Sequence, residues 1–493
     1  MKTSIAKDTL IYSVGRWLIR LFSFVLLPIY TRLFSPDEYG TLEILTTFTS
    51  LLVLFSTLGL DGALSRFFCD EEYKDRQADI FSGVFLLFGL LSAGLLLGIV
   101  LGAGEVARFL QLELAHANLL RMALAAAMTS MLIDNLLRVL RLRFLATEFT
   151  IVSISYFFVS FVLTLLFILV LGFKLEGIFI ARLLSDALFI PILLFMNRTY
   201  IKWTMDFPLL KEMITFGFPL LAGWLTLYGI RHTDRYFVLY YLDLEQLGYY
   251  GVAIKLANVV DVIVAGFQLA WPAYIWSRYT EQDAPENFGL IFKFMSVILF
   301  MTLVPVGLFA QELLSVLTTA KFARGADAAG LLLIGSAVSY LLTHFSIGID
   351  VRKQSYHRIT GGLLALMLNL VLNFYLVPMW GIVGAAIATI VSYTSYGAFL
   401  MLISQKMYRI PITFHRHALL WGTGLIFICL ERLWYQQYQS SMMLLGSKIT
   451  VVAFLASLPF LFGLLTLSEI TKSYRMAKEY LTASLRLEDR NVS

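Results

Sequence analysis

The sequence predicts an all-α integral membrane protein with about 14 transmembrane helices, built as two six-helix bundles plus two added helices. Three observations predict it. Hydrophobic residues fill 59% of the 493 positions and charged residues only 14%, with a mean hydropathy of +0.78. Apolar runs of about 20 residues recur from end to end, each long enough to cross a bilayer core of about 30 Å as one helix. A weak internal likeness relates the first half of the chain to the second.

The runs fall near 9–33, 41–68, 80–103, 119–142, 150–172, 176–196, 212–232, 247–276, 288–310, 329–350, 357–378, 381–404, 417–434 and 449–468. The longest connections hold about 15–20 residues, too few for a catalytic domain outside the membrane. The first run is longer than a signal-peptide core and no small-residue cleavage site follows it, so it reads as a retained helix. Cys69 at a membrane edge and Cys429 inside a late run suggest neither a disulfide scaffold nor a thiolate metal site. Phosphate-loop, HExxH, CxxC and G-x-S-x-G patterns are absent from the sequence, which argues against an ATPase, a metalloenzyme or a serine hydrolase.

The formal net charge is +5, and its distribution sets an orientation. With a cytoplasmic amino terminus, the inside segments carry about 23 Lys and Arg and the outside segments about 9, as the positive-inside rule requires. An even span count then places both termini in the cytoplasm.

Two stretches resemble each other at a nearly constant offset. Arg32-Leu-Phe-Ser-Pro36-Asp-Glu-Tyr39-Gly40 follows the first run, and Tyr241-Leu-Asp243-Leu-Glu245-Gln-Leu-Gly248-Tyr-Tyr-Gly251 follows the seventh; 248 − 40 = 208. Leu175-Glu-Gly177 opens the sixth run and Met379-Trp-Gly381 the twelfth; 381 − 177 = 204. The repeat unit is therefore six spans, and an even unit places the pseudo-two-fold axis along the membrane normal. The expected divisions are 1–205, 206–410 and the extra helices with a cytoplasmic tail in 411–493. Two bundles so related leave a central cavity, about which they can rock.

Leu27-Pro28-Ile-Tyr30-Thr-Arg32 running into Ser35-Pro36-Asp-Glu-Tyr39-Gly40, then Leu247-Gly248-Tyr-Tyr250 and Gln268-Leu-Ala-Trp-Pro272, carry a family likeness. The chain resembles the polysaccharide-type flippases of the multidrug/oligosaccharidyl-lipid/polysaccharide exporter superfamily, the group containing the O-antigen flippases. The resemblance covers essentially the whole chain. It implies a MATE-like fold in a bacterial or archaeal cytoplasmic membrane. It also implies a transporter, not an enzyme, that moves lipid-linked oligosaccharides on a polyprenyl pyrophosphate. Membrane lipids and other polysaccharide-assembly proteins are its implied partners; nucleic acid is not. No cofactor is expected beyond coupling to H⁺ or Na⁺.

Ionisable residues in hydrocarbon usually face a bundle interior or a wet cavity. Arg16 and Arg20 are four apart in the first run and share a face. Two cations there suit the two phosphates of a lipid pyrophosphate, which guanidinium groups grip well. In related lipid II flippases, basic residues of the first helix also line the cavity. Arg182 and Lys255, with Arg231 and Arg235 at the outer end of the seventh run, complete the candidate substrate contacts. Arg231, Asp234 and Arg235 also suit interfacial anchoring.

Asp186, Asp261, Asp61 and Asp134 are the candidate coupling carboxylates, with Asp186 and Asp261 expected deepest. Asp134/Arg138 and Arg182/Asp186 stand four apart, as ion pairs within one helix would. Asp61 suits a gate or a solvated position nearer the cytoplasm. His232 and His344 read as hydrogen-bonded helix residues, and Asn369 with Asn373 as an interhelical hydrogen-bonding pair. Trp224, Tyr228, Trp271 and Tyr274 suit belt or core packing, with stacking on sugar rings as the alternative. Two other functions remain open. A cation-coupled multidrug exporter shares the fold but favours an acidic cavity. A polysaccharide polymerase or ligase would need a large outer loop.

Overall fold

The computed structural model describes residues 25–438 and 442–464, which contain helices and no β-strand. In the first half these are α1 (25–33), α2 (Pro36–Thr57), α3 (Leu60–Cys69), α4 (Gln77–Phe109), α5 (Ala117–Leu142), α6 (Ala146–Leu165) and α7 (Leu175–Met196). The second half holds α8 (Phe207–Tyr241), α9 (Leu244–Ala257), α10 (Val259–Arg278), α11 (Ala284–Leu308), α12 (Ala310–Leu317), α13 (Ala326–His344), α14 (Ile347–Val351) and α15 (Tyr356–Met407). The helices α16 (Phe414–Tyr438) and α17 (Met442–Leu461) follow.

Among the described residues, ten helical segments are long and apolar enough to cross a membrane. The first expected span lies mostly outside the described residues. The eleventh and twelfth share α15, whose 52 residues bend at Gly381, where φ is 57° and ψ −138°. At about 1.5 Å per residue this helix has the length for two crossings.

Two expected spans break in mid-course. The second divides into α2 and α3 because Leu58 (φ 48°) and Gly59 (φ 73°) are left-handed, and Gly59 meets the backbone of Gly217 on α8. A β-carbon on Gly59 would lie 1.9 Å from the Gly217 carbonyl oxygen. The eighth divides into α9 and α10 at Asn258.

The repeat is visible in the packing. Ser35 caps α2 through a box with Glu38, and Asp243, at 35 + 208, caps α9 through the Gln246 amide. The two helix starts then press together. A β-carbon on Gly40 would lie 1.9 Å from the Leu244 carbonyl oxygen, and one on Gly248 would lie 2.0 Å from that of Pro36. The offset turns each contact into the other (36 + 208 = 244; 40 + 208 = 248). Residues that touch their own images lie on the symmetry axis, so this contact marks the axis at the Pro36 end.

Outside the repeat, α16 and α17 are tied to the second half. Buried Lys448 reaches Glu312 of α12 at 2.7 Å and Glu431 of α16 at 2.6 Å, and Arg432 pairs with Asp327 of α13 at 3.0 Å.

Candidate functional site

Each half encloses a cavity, and the repeat relates the two. The first, of about 420 Å³, is lined by Thr46, Thr49, Ser50 and Val53 of α2, with residues of α1, α5, α6 and α7. The second, of about 210 Å³, is lined by Ile254, Ala257, Asn258 and Asp261, together with residues of α8, α10, α13 and α15. All four pairs differ by 208. Conserved helix geometry thus puts equivalent positions on equivalent cavity walls.

The first cavity carries Arg182 and Asp134. Arg182 donates from Nε to Ser130 Oγ at 2.7 Å, and its guanidinium lies 5.0 Å from the Tyr156 ring centroid. Its two terminal nitrogens make no hydrogen bond among the described residues. Asp186 is fully buried below it and is held by hydroxyls. Tyr156 donates to one carboxylate oxygen; Thr129 at 2.6 Å and Ser130 at 3.0 Å donate to the other. The Arg182–Asp186 separation is 3.9 Å, so the expected i,i+4 ion pair is a loose one. Three neutral donors stabilise the Asp186 carboxylate and leave the guanidinium turned to the cavity.

The second expected pair is not formed. Arg138 joins Asp61 of α3 at 2.9 Å instead of Asp134. The chain break at Leu58–Gly59 turns α3 toward α5 and supplies the closer carboxylate. Asp61 is therefore neither solvated nor free, with its side chain 19% exposed. Asp134, without Arg138, lines the cavity beside Arg182.

The Arg231–Asp234–Arg235 cluster lies within α8, which runs nine residues past the expected limit at 232 because charged residues interrupt the hydrophobic run but not the helix. Asp234 and Arg235 are buried, which corrects their reading as interfacial anchors. Arg235 donates to Glu43 of α2 at 2.7 Å, to the Arg231 carbonyl at 2.7 Å and to Asp234 at 3.1 Å. Asp234 also accepts from Tyr250 at 2.6 Å and Thr389 at 3.1 Å. Arg235 lines the second cavity while its hydrogen bonds are committed to this network. Glu43 is the residue the sequence reading missed. Its repeat equivalent is Gly251 (43 + 208), and a β-carbon there would meet the Glu43 side chain at 3.3 Å. A glycine opposite a carboxylate at equivalent positions was the available signal.

Arg231 remains exposed and lies 3.4 Å from Asp261, whose side chain is 43% exposed. Asp186, Asp234 and Glu43 are more fully buried than Asp261. Lys255 is exposed on α9, one turn before the break. Arg16 and Arg20 lie outside the described residues. Asn373 bonds to Asn369 within its own helix at 3.0 Å, and Thr233 of α8 reaches Asn369 at 3.4 Å. His232 stacks on Tyr228 and His344 on Tyr340. Trp271 is core, stacked on Phe267 and donating to the His344 carbonyl at 3.0 Å. No group of three or more His, Cys, Asp or Glu side chains gathers as metal ligands among the described residues.

This architecture occurs in solved transporters. A structure titled as the lipid II flippase MurJ in an inward closed conformation has a TM-score of 0.66 at 13% identity, covering 92% of this chain and 98% of that one. An inward-facing multidrug resistance MATE family transporter of the MOP superfamily has 0.64 at 16% identity, covering 79% and 94%. Among curated sequences, an uncharacterized membrane protein of Haemophilus influenzae is 23% identical over 281 residues, or 56% of this chain and 66% of its own length. Lsg locus putative protein 1 of the same organism is 24% identical over 294 residues, covering 56% and 67%. An uncharacterized membrane protein of Methanocaldococcus jannaschii is 21% identical over 412 residues, covering 76% and 78%. The profile described as polysaccharide biosynthesis protein matches residues 29–327, more than half of the chain; with its helices and its fold, this multi-pass membrane protein belongs to that family.

Proposed function

We propose that this protein flips a lipid-pyrophosphate-linked oligosaccharide from the cytoplasmic to the outer leaflet by alternating access, in the assembly of a cell-surface polysaccharide. The observation that carries the reading is Arg182. Its intrahelical carboxylate is occupied by three hydroxyl donors, so a guanidinium with two unbonded terminal nitrogens faces a membrane-embedded cavity. Such a group suits a phosphate oxygen pair. Lys255 and Arg231 in the second half, and Arg16 and Arg20 in the first, are the further cations for a diphosphate. The glycan would occupy wet space and the lipid tail the bilayer.

The basic-residue bias makes the Pro36 end the outer one and puts both termini in the cytoplasm of a bacterial or archaeal cell. The on-axis glycine contact is then the closed outer side. Asp134 is the coupling group of this reading. Protonation of its carboxyl would remove the negative charge beside Arg182 and favour the phosphate, and return of the charge would compete the phosphate away.

A cation-coupled multidrug exporter is the second reading, favoured by Asp134 beside Phe157 and Phe161 in the first cavity. Reconstituted vesicles separate them. Polyprenyl pyrophosphate carrying a labelled sugar should change leaflets with the wild-type chain. The rate should be lost with Arg182→Ala and partly kept with Arg182→Lys, which retains charge without the fork. Ethidium efflux that survives Arg182→Ala, with no lipid movement by the wild type, would overturn the flippase reading.

A further inference from the structure

The two repeat-related cavities differ in how their polar groups are used. In the first, most of the hydroxyls are spent inside the protein. Thr46 and Thr49 bond back to their own helix, Ser50 to the Thr47 carbonyl, and Ser130 to Asp186. In the second, Thr343 and Thr389 are spent likewise, but other polar groups are not. Asn258, Gln268, Ser336 and Ser339 line the cavity, and their side chains make no hydrogen bond among the described residues. Tyr340 is 7% exposed, and its hydroxyl is buried without a partner. A buried hydroxyl left unbonded is destabilising unless something else bonds it.

We propose that the second-half cavity is a subsite for one sugar ring of the lipid-linked glycan. Tyr340, Gln268 and Asn258 read its hydroxyl or acetamido groups, and Asp261 accepts from a further hydroxyl. The proposal rests on the flippase reading. Amides, hydroxyls, a carboxylate and Arg231 supply both donors and acceptors, which is what a sugar ring presents; a phosphate alone would leave the acceptors unused. At about 210 Å³ the space is half that of the first cavity, about 420 Å³. That suits one ring and not a chain. The cavity wall also holds Tyr340 stacked on His344 at 3.9 Å, with Tyr393 nearby, so an apolar sugar face has aromatic surface to meet.

The test uses the full chain in vesicles with two probes, polyprenyl pyrophosphate alone and polyprenyl-pyrophosphate-N-acetylglucosamine. Tyr340→Phe should slow the sugar-bearing probe by about 3- to 10-fold, the worth of one neutral hydrogen bond. The bare lipid should be unaffected and the variant at least as heat-stable as the wild type, since an unpartnered hydroxyl has gone. Gln268→Ala should act in the same direction. If the wild type moves both probes and neither variant changes their ratio, the cavity holds only water and the subsite is refuted. If the wild type moves neither probe, the flippase reading falls and takes the subsite with it.

Discussion

The Glu43–Arg235 bond crosses from the first half to the second, next to the on-axis contact, so under the proposed alternating access it belongs to one state of the cycle. At 2.7 Å, with side chains 11% and 5% exposed, it is a buried charge pair. Removing one partner of such a pair leaves the other uncompensated, at about 3–5 kcal/mol. Arg235 keeps Asp234 at 3.1 Å and the Arg231 carbonyl, so Glu43→Gln should fall at the low end, about 3 kcal/mol. When the halves part at this end both groups hydrate, and the loss applies to the closed state alone. A differential of about 3 kcal/mol shifts the closed-to-open ratio about 100-fold. The assay needs one cysteine. With Cys69 and Cys429 changed to Ser, Thr46→Cys places a thiol on the first cavity, and a membrane-impermeant maleimide is added outside intact cells. Labelling should rise by about the same factor in Glu43→Gln, less any limit set by the reagent, and return toward wild type in Glu43→Asp. Unchanged labelling at normal protein abundance would refute the latch. A rise seen only in inside-out vesicles would keep the latch and reverse the orientation.

Gly248→Ala drives a β-carbon to 2.0 Å from the Pro36 carbonyl, an overpacking of about 1–3 kcal/mol that should also increase outside labelling of Thr46→Cys. Asp134→Asn should leave protein levels near normal and flatten the pH dependence of flipping; a profile unchanged from wild type would remove Asp134 as the coupling group. Arg20→Ala should abolish surface glycan at normal abundance and Arg20→Lys should keep part of it, whereas normal glycan with Ala would end its pyrophosphate role. Reporter fusions after Lys7 and after Ser493 should both read cytoplasmic, and a periplasmic signal from either breaks the assigned topology.

What the sequence by itself determined is the set of properties written locally in the chain. Span length and apolar composition need only neighbouring residues, so the all-helical membrane class was legible. The repeat was legible too, from the near-constant offsets of Gly40 to Gly248 and of Gly177 to Gly381, while the capped starts at Pro36 and Leu244 fall a few residues before the apolar runs. Tertiary structure decided which charges meet. Asp134 and Arg138 satisfy the i,i+4 rule, yet α3 brings Asp61 closer to Arg138. Asp186 follows the same rule with Arg182, yet the hydroxyls of Thr129, Ser130 and Tyr156 reach it from other helices. Glu43 finds Arg235 across 192 residues of sequence. A buried charge takes the partner whose geometry best offsets its lost hydration, and that geometry exists only once separate helices have packed.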